Sequence, residues 1–407
     1  MGNESNRRYA AMEISSKTVK LIYGYVQDDL VYVLHALETN VNAVESGVVV
    51  ESEALTSAIK GLINTANENL NIQIKEVLLA LPPMGLNFTN ERAMSNTISS
   101  DSIVAQLDIN NCISILMKTK VKDMTEIIDV IPYQYILETN ETLTDSPIGK
   151  RSRNINVLGT VYSMDKLFVE GYVKAVTNAG LIVKKVVPAP LASALYLSNC
   201  DQIANSCSSY YLLNIGSNIT TLSQINQKIM ITKNKCFRFG GDVLTEKLQQ
   251  KFNLSMKDAK MLKEKYGIDK SPSFKVKVFN DLTMSDIGDC IKENILPVIE
   301  SLKQQISNWS GTENKYLPIV LVGGGTSLYG LRELLKKNLQ LTVIDVIPYS
   351  FGARNKSYEN CLGLIKYADK YIQTEEDDPF ISTSISRVPQ KEVLRSSGQH
   401  YDINEEL

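Results

Sequence analysis

Three short stretches, far apart in the chain, carry residue types that can hold an anion. In residues 210–223 (YYLLNIGSNITTLS) an apolar run of Tyr210, Tyr211, Leu212 and Leu213 reads as a buried strand. Asn214, Gly216, Ser217 and Asn218 then form a small-residue turn before a second β-rich run begins at Ile219. Backbone N–H groups at such a turn can approach a phosphate closely, because no bulky Cβ intervenes and the short side chains add donors. The same residues also favour an ordinary hairpin turn. Residues 9–26 (YAAMEISSKTVKLIYGYV) repeat the scheme: a short strand with an acid, Glu13, then Ser15, Ser16, Lys17 and Thr18, then a second strand. Residues 317–335 (LPIVLVGGGTSLYGLRELL) run from a buried strand through Gly323, Gly324 and Gly325 into a helix carrying Leu331, Leu334 and Leu335. Glycines between a strand and a helix N-terminus offer N–H groups and the positive end of a dipole to a phosphate or nucleotide. Each stretch alone is a weak signal.

The elements that must position these corners read as layered α/β structure. After the strand pair of residues 9–38, Ser52 begins a helix whose stripe is Leu55, Ala58, Ile59, Leu62, Ile63, Ala66 and Leu70. A strand over residues 76–81 ends at Pro82 and Pro83. Beyond Pro83 the texture becomes more polar, with a helix-like segment near residues 110–119 and strand-like runs at 124–137 and 155–162. Ser163 is the expected cap of a helix closed by Gly180. This region reads as an independently folded insert; the alternative is a continuation of the first domain. Residues 181–197 return to a core-like strand and helix. Gly240 and Gly241 precede a helix over 242–252, and Ser255 with Asp258 forms a capping pair for another that ends at Gly267. Pro297 interrupts the apolar pattern of residues 285–309, which predicts a kink or two shorter helices. From Thr374 onward the chain is acidic, then Ser-rich, and reads as a flexible tail.

Composition excludes several classes. At 407 residues, with 43% hydrophobic and 22% charged residues, the chain is long enough for two or more cored domains. A net charge of −2 recommends no nucleic-acid partner. Six scattered cysteines without a CxxC, and only His35 and His400, argue against a zinc site or a Cys/His nucleophile pair and suit reduced thiols in the cytoplasm. No apolar run approaches the roughly 20 residues needed to cross a bilayer, and the N-terminus lacks the apolar core of a signal peptide. Gly2 is followed by Asn6 where a myristoylation signal wants Ser or Thr.

Two polar-tipped hairpins and a strand-GGG-helix, in this order, resemble the actin-like ATPases, in which two similar halves clamp a nucleotide. From residue 9 to 371 the chain is similar to the FtsA family of bacterial cell-division proteins. The most specific segments are GVVVESEALTSAIK (47–60), VIPYQYIL (130–137), APLASALYL (189–197), FGGDVLTEKL (239–248), SMKDAKMLKEKYG (255–267), LVGGGTSLYGLRELL (321–335) and ENCLGLIKYA (359–368). The resemblance implies subdomain 1A over residues 9–84, 181–207 and 345–372, and a 1C insert over 85–180. It implies 2A over 208–241 and 315–344, 2B over 242–314, and a tail over 373–407. It implies ATP with Mg²⁺, held through Glu13, Ser15, Ser16, Lys17, Asn214, Gly216, Ser217, Asn218, Gly240, Gly241, Lys263 and Gly323 to Gly325, with Glu13 as the metal-side acid. Implied partners are the C-terminal peptide of FtsZ, docked on 2B around Asp289, Lys292 and Glu293, other copies in a head-to-tail filament, further divisome proteins through 1C, and the inner membrane surface. Those three charged residues also suit a solvated helix face.

The departures from the family pattern bear on chemistry. Ser15 stands where a Gly is usual, Ala189 where an acid is frequent, and neutral Asn214 where the family carries an acid. One charge that would help hold a metal is thereby missing, and a base that would activate water is missing with it. The expected activity is nucleotide binding with slow or absent hydrolysis. The tail shows no continuous amphipathic helix for a membrane, since Pro389 separates Phe380, Ile381 and Ile385 from Val393 and Leu394. Two rival readings remain: a pilus-assembly relative that binds a peptide of a membrane partner, and a sugar-kinase-like phosphotransferase, for which no catalytic acid is evident.

Overall fold

The structure is a computed structural model and describes residues 7–45, 47–204, 208–268, 276–310 and 316–372. Two five-stranded sheets form its frame. The first runs Ile182–Pro188, Glu76–Leu81, Tyr9–Ile14, Thr18–Gln27, Leu30–Asn40 across the sheet. The three N-terminal strands form an antiparallel meander, and the other two are added in parallel. The second sheet runs Val343–Asp345, Ile319–Val322, Tyr210–Ile215, Thr220–Ile225, Ile231–Phe237, with the same directions in the same places. The chain therefore contains one sheet design twice, and each polar-tipped hairpin sits at the equivalent corner of its sheet.

The central strands are apolar on both faces, as strands covered on both sides must be. Tyr210 and Leu212 point into one core, shared with the first sheet, while Tyr211 and Leu213 point into a second core beneath the later helices. Between the sheets cross two helices, Ala189–Leu197 and Glu359–Tyr371. All nine residues of the first are buried, which explains why its sequence, APLASALYL, carries no polar stripe. Gly363 on the second lies so close that a Cβ there would stand 1.8 Å from the carbonyl oxygen of Ala192.

The insert is an antiparallel sheet, ordered Asn87–Asn96, Asn154–Asp165, Thr125–Leu137, Thr142–Leu143. The helix Gln106–Leu116 packs on it through Ile109, Ile113 and Leu116, around a core of the insert's own. Its end differs from the expectation. Ser163 remains in the last strand, and Asp165 caps the following helix, Lys166–Asn178, accepting from the Phe168 N–H at 3.0 Å. Val169, Tyr172 and Val176 of that helix lie in the core of the first sheet, so the helix serves the first unit although it follows the insert in sequence. The long helix Met284–Trp309 also differs, running unbroken through Pro297. Ile291, Ile295, Ile299, Leu302 and Ile306 are buried on one stripe across the proline, and this burial outweighs the lost backbone hydrogen bond.

A buried ion pair joins insert to frame: Lys185 Nζ lies 2.9 Å from Asp129 Oδ1, with both side chains all but inaccessible. The Tyr367 hydroxyl donates to the same carboxylate at 3.1 Å. Lys185 is turned inward by a bulge in its strand, between Val183 and Lys185. Removing one partner strands the other charge, so Lys185→Met is expected to cost about 3–5 kcal/mol of stability. Adding Asp129→Leu should recover most of that loss in urea unfolding; a double variant as unstable as the single one would contradict this account of the pair.

Candidate functional site

A cavity of about 880 Å³ opens between the two sheets, and the three corners meet in it. At the first, the Ser15 hydroxyl donates to the Thr18 carbonyl at 3.0 Å and accepts from the Thr18 N–H at 3.1 Å. This closes a tight turn that presents Ser15 and Lys17 to the cavity, whereas Ser16 at its tip does not line it. At the second corner the Gly216 N–H donates to the Ile219 carbonyl at 2.9 Å. The start of the helix Gly241–Phe252 is docked on this turn by Gly241 N–H to Gly216 O (2.9 Å) and Asp242 N–H to Ser217 O (2.8 Å). Asn214, Gly216, Ser217 and Gly241 line the cavity; Asn218 and Gly240 stand behind it. A Cβ on Gly240 would lie 2.2 Å from Ser217 O, so its part is close approach between turn and helix.

At the third corner Gly323, with φ +83°, packs so closely that a Cβ would meet Asn214 Oδ1 at 2.2 Å. Gly323, Gly324 and Gly325 all line the cavity. The expected helix does not start there: Gly324–Ser327 forms one turn of 3₁₀ helix, and the α-helix Leu331–Leu339 begins only after Gly330. The tighter turn is held by Thr326, whose N–H and hydroxyl both donate to Gly323 O. This corner therefore offers close backbone approach without a long helix dipole behind it.

The charges are arranged in pairs. Glu13 Oε2 lies 3.1 Å from Lys20 Nζ, and Glu13 Oε1 accepts from Asn360 Nδ2 at 2.6 Å. Lys20 also donates to the Ser357 carbonyl at 2.8 Å. Burial pulls the Lys20 ammonium down, but the Glu13 carboxylate, with Cys361 and Glu38 adding to it, holds it above its ordinary value. Glu359 is buried beside Gly323, whose N–H reaches its Oε2 at 3.2 Å, while its Oε1 has no partner. Burial pushes this carboxyl well above the usual range, against the Gly323 N–H and Lys356, with Glu13 adding to the rise. Lys263 donates to Gly241 O and to Thr245 Oγ1, each at 2.8 Å, and burial lowers its pKa. Across the opening, Lys17 Nζ of the first unit lies 3.6 Å from Asp242 Oδ2 of the second.

The three corners offer the close backbone approach that an anion site needs, and acids (Glu38, Asp242, Glu246, Glu264) as well as lysines line the cavity around them. Small-residue turns supply close approach, and Lys17, Lys260 and Lys263 supply charge. The site does not fit a divalent cation held by the protein. Both Glu13 oxygens are already engaged, Asn214 brings no charge, and among the described residues no group of three or more His, Cys, Asp or Glu could hold a metal. Glu13 is therefore a partner of Lys20 here, not the free acid that a metal-side role requires.

Lys20, Asp242, Lys356, Glu359 and Asn360 are cavity residues that the sequence reading did not single out. Lys20 was within reach, since the hairpin register sets it directly opposite Glu13. Glu359 and Asn360 open the segment 359–368, but nothing local to it shows that they reach Gly323 and Glu13. Asp289, Lys292 and Glu293 lie on the long helix outside the cavity, where Glu293 pairs with Lys251 at 2.8 Å.

Comparison with known proteins bears on this geometry. A family model described as "Type IV pilus assembly protein PilM" matches residues 150–360. FtsA of Streptococcus pneumoniae is 24% identical over 378 residues, spanning 90% of this chain and 81% of that protein. FtsA of Bacillus subtilis is 20% identical over 377 residues, spanning 89% and 84%. Among solved structures, a PilM–PilN type IV pilus biogenesis complex aligns with TM-score 0.61 at 18% identity, covering 88% of this chain and 98% of that one. MreB5 of Spiroplasma citri bound to ADP aligns with TM-score 0.53 at 12% identity, covering 91% and 99%. The fold is thus that of the actin-like ATPases, and the chain is a divergent relative of FtsA.

The Glu359 carboxyl generates a pH test. Its proton is held in the folded chain to a pH above the ordinary value of 4.5 and released sooner on unfolding, so stability falls as pH rises through and beyond 4.5. Glu359→Gln should remove that loss, with the difference between the two proteins changing by up to about 1.4 kcal/mol per pH unit. Urea unfolding near pH 5 and near pH 8 checks this; a constant difference would contradict it.

Proposed function

The chain belongs to the family described as the type IV pilus assembly protein PilM, and from that premise we propose that it is an actin-like ATP-binding protein working by assembly and linkage. In this reading ATP occupies the cleft, with its phosphates on the Ser15–Lys17, Gly216–Ser217 and Gly323–Gly325 corners. The observation that carries it is the convergence of these three corners in one interdomain cavity. Lys17 and Asp242, one on each lip, answer to the same ligand, so nucleotide sets how far the two halves close.

Hydrolysis is slow or absent in this reading, because Glu13 is engaged by Lys20 and Asn360 and Asn214 is neutral. Any Mg²⁺ arrives with the nucleotide phosphates and is not held by a protein carboxylate. Copies stack head to tail, a heterologous arrangement that makes filaments. The closest functional reading is FtsA-like: the 2B helices around Asp289, Lys292 and Glu293 dock the FtsZ C-terminal peptide, and the insert meets further divisome proteins at the cytoplasmic face of the membrane. A second reading is favoured by the family match and by the PilM–PilN likeness: the docked peptide comes from a pilus-assembly membrane partner.

Isothermal titration with ATP should show a single site, with turnover below about one per second. Gly323→Val should abolish binding, since a side chain there needs the room of Asn214 and a backbone at φ +83°. No heat with the natural chain, or binding unaffected by the valine, would contradict the cleft assignment. For the partner, immobilised FtsZ-tail and PilN-type peptides offered in parallel should separate the two readings. Retention on the FtsZ tail supports division and retention on the pilus peptide supports the second reading. Retention on neither counts against both.

A further inference from the structure

The connection from the strand Val343–Asp345 into the helix Glu359–Tyr371 runs along the wall of the cleft, where Asn355, Lys356, Ser357, Glu359 and Asn360 line it. Most polar groups of this segment are engaged. Lys356 pairs with Asp345, and the Asn355 side chain accepts from the Ser357 N–H at 3.0 Å. The Ser357 carbonyl accepts from Lys20 at 2.8 Å, and Asn360 accepts from the Ser193 hydroxyl at 2.7 Å while donating to Glu13. Two side-chain oxygens stand apart from this network: Ser357 Oγ and Glu359 Oε1 are buried and have no hydrogen-bond partner among the described residues. A buried polar atom without a partner is costly. Two of them from one segment, both on the wall of one cavity, point to a ligand that satisfies them.

Both stand at the glycine corner. A Cβ on Gly324 would lie 3.9 Å from the Ser357 Cβ. Glu359, only 2% exposed, takes up the Gly323 N–H through Oε2 at 3.2 Å. That amide is therefore spent, and the corner presents the other oxygen of the same carboxyl in its place. Burial favours the uncharged carboxyl; the Gly323 N–H and Lys356 oppose this, while Glu13 and Asp345 reinforce it. Glu13 and Lys356 are themselves engaged by Lys20 and Asp345, and the nearby Cys200 thiol, pushed up to about 12 mainly by burial, carries no charge. An uncharged carboxyl is an O–H donor, as a hydroxyl is.

Resting on the reading that ATP occupies this cleft, we propose that residues 357–359 form its fourth corner, with the Ser357 hydroxyl and the Glu359 carboxyl each donating a hydrogen bond to a phosphate oxygen of the nucleotide. The phosphate is then taken with the Glu359 proton in place. Raising the pH removes that proton and sets a carboxylate against the phosphate, so affinity falls as pH rises.

Isothermal titration of ATP into the full-length chain, its Ser357→Ala variant and its Glu359→Gln variant tests this. Ser357→Ala should weaken binding by about tenfold. In Glu359→Gln the side-chain oxygen keeps the Gly323 N–H and the amide offers a donor that does not titrate. This variant should bind ATP near pH 6, and the ratio of the natural chain's Kd to its own should climb towards pH 9, by up to about tenfold per pH unit. Undiminished affinity in Ser357→Ala, or a ratio that stays constant across that range, overturns the fourth corner while leaving ATP in the cleft. Failure of all three chains to bind ATP overturns the cleft reading and the fourth corner with it.

Discussion

The carbonyl oxygen of Ala192 stands where a side chain on residue 363 would begin. That contact sets how closely the two central helices cross, and the helices in turn set the spacing of the sheets on either side. Every corner of the cleft is placed by this spacing, because each turn rides on a strand of one sheet or the other. A glycine inside a helix ordinarily costs about 0.5–1 kcal/mol. Here a larger residue would push the halves apart, and the cleft depends on their being held at one distance. The same economy of side chains recurs at Gly240 against Ser217 and at Gly323 against Asn214, where backbone approaches turn with no room between.

Within that geometry the charges decide what the cleft can do. In a cleft that worked on its ligand, an acid at the first corner would be free to organise a metal and water. Glu13 instead spends both oxygens on Lys20 and Asn360, and Asn214 at the second corner is neutral. Glu359 is close by, but buried and pushed toward its protonated form. What remains at the corners themselves is close backbone approach and Lys17, with Glu38, Asp242, Glu246 and Glu264 elsewhere on the cavity wall. The Lys17–Asp242 contact spans the lips of the cleft and joins the two halves there.

How much of this was legible in the sequence follows from how local each signal is. The polar-tipped hairpins at residues 9–26 and 210–223 were readable because a hairpin turn is decided by a few adjacent residues. The helix caps were less so: Ser163 and Asp165 are both plausible caps, and the choice was made by how far the insert's last strand extends. Pro297 misled for a similar reason, since a burial stripe that continues on both sides outweighs one missing hydrogen bond. The glycines at 323–325 do follow a buried strand as their letters suggest, while the short 3₁₀ turn was hidden in the same letters that suit a helix start. Asn360 reaching Glu13, and Lys185 reaching Asp129, depend on residues brought together only by the finished fold.

The central claim is that three distant turns serve one anion. Amide hydrogen exchange, followed residue by residue while ATP is added, tests it most directly. The account predicts that the segments 15–18, 216–219 and 323–326 slow together and saturate at a common ATP concentration. Slowing of one segment alone, or of none, would contradict it.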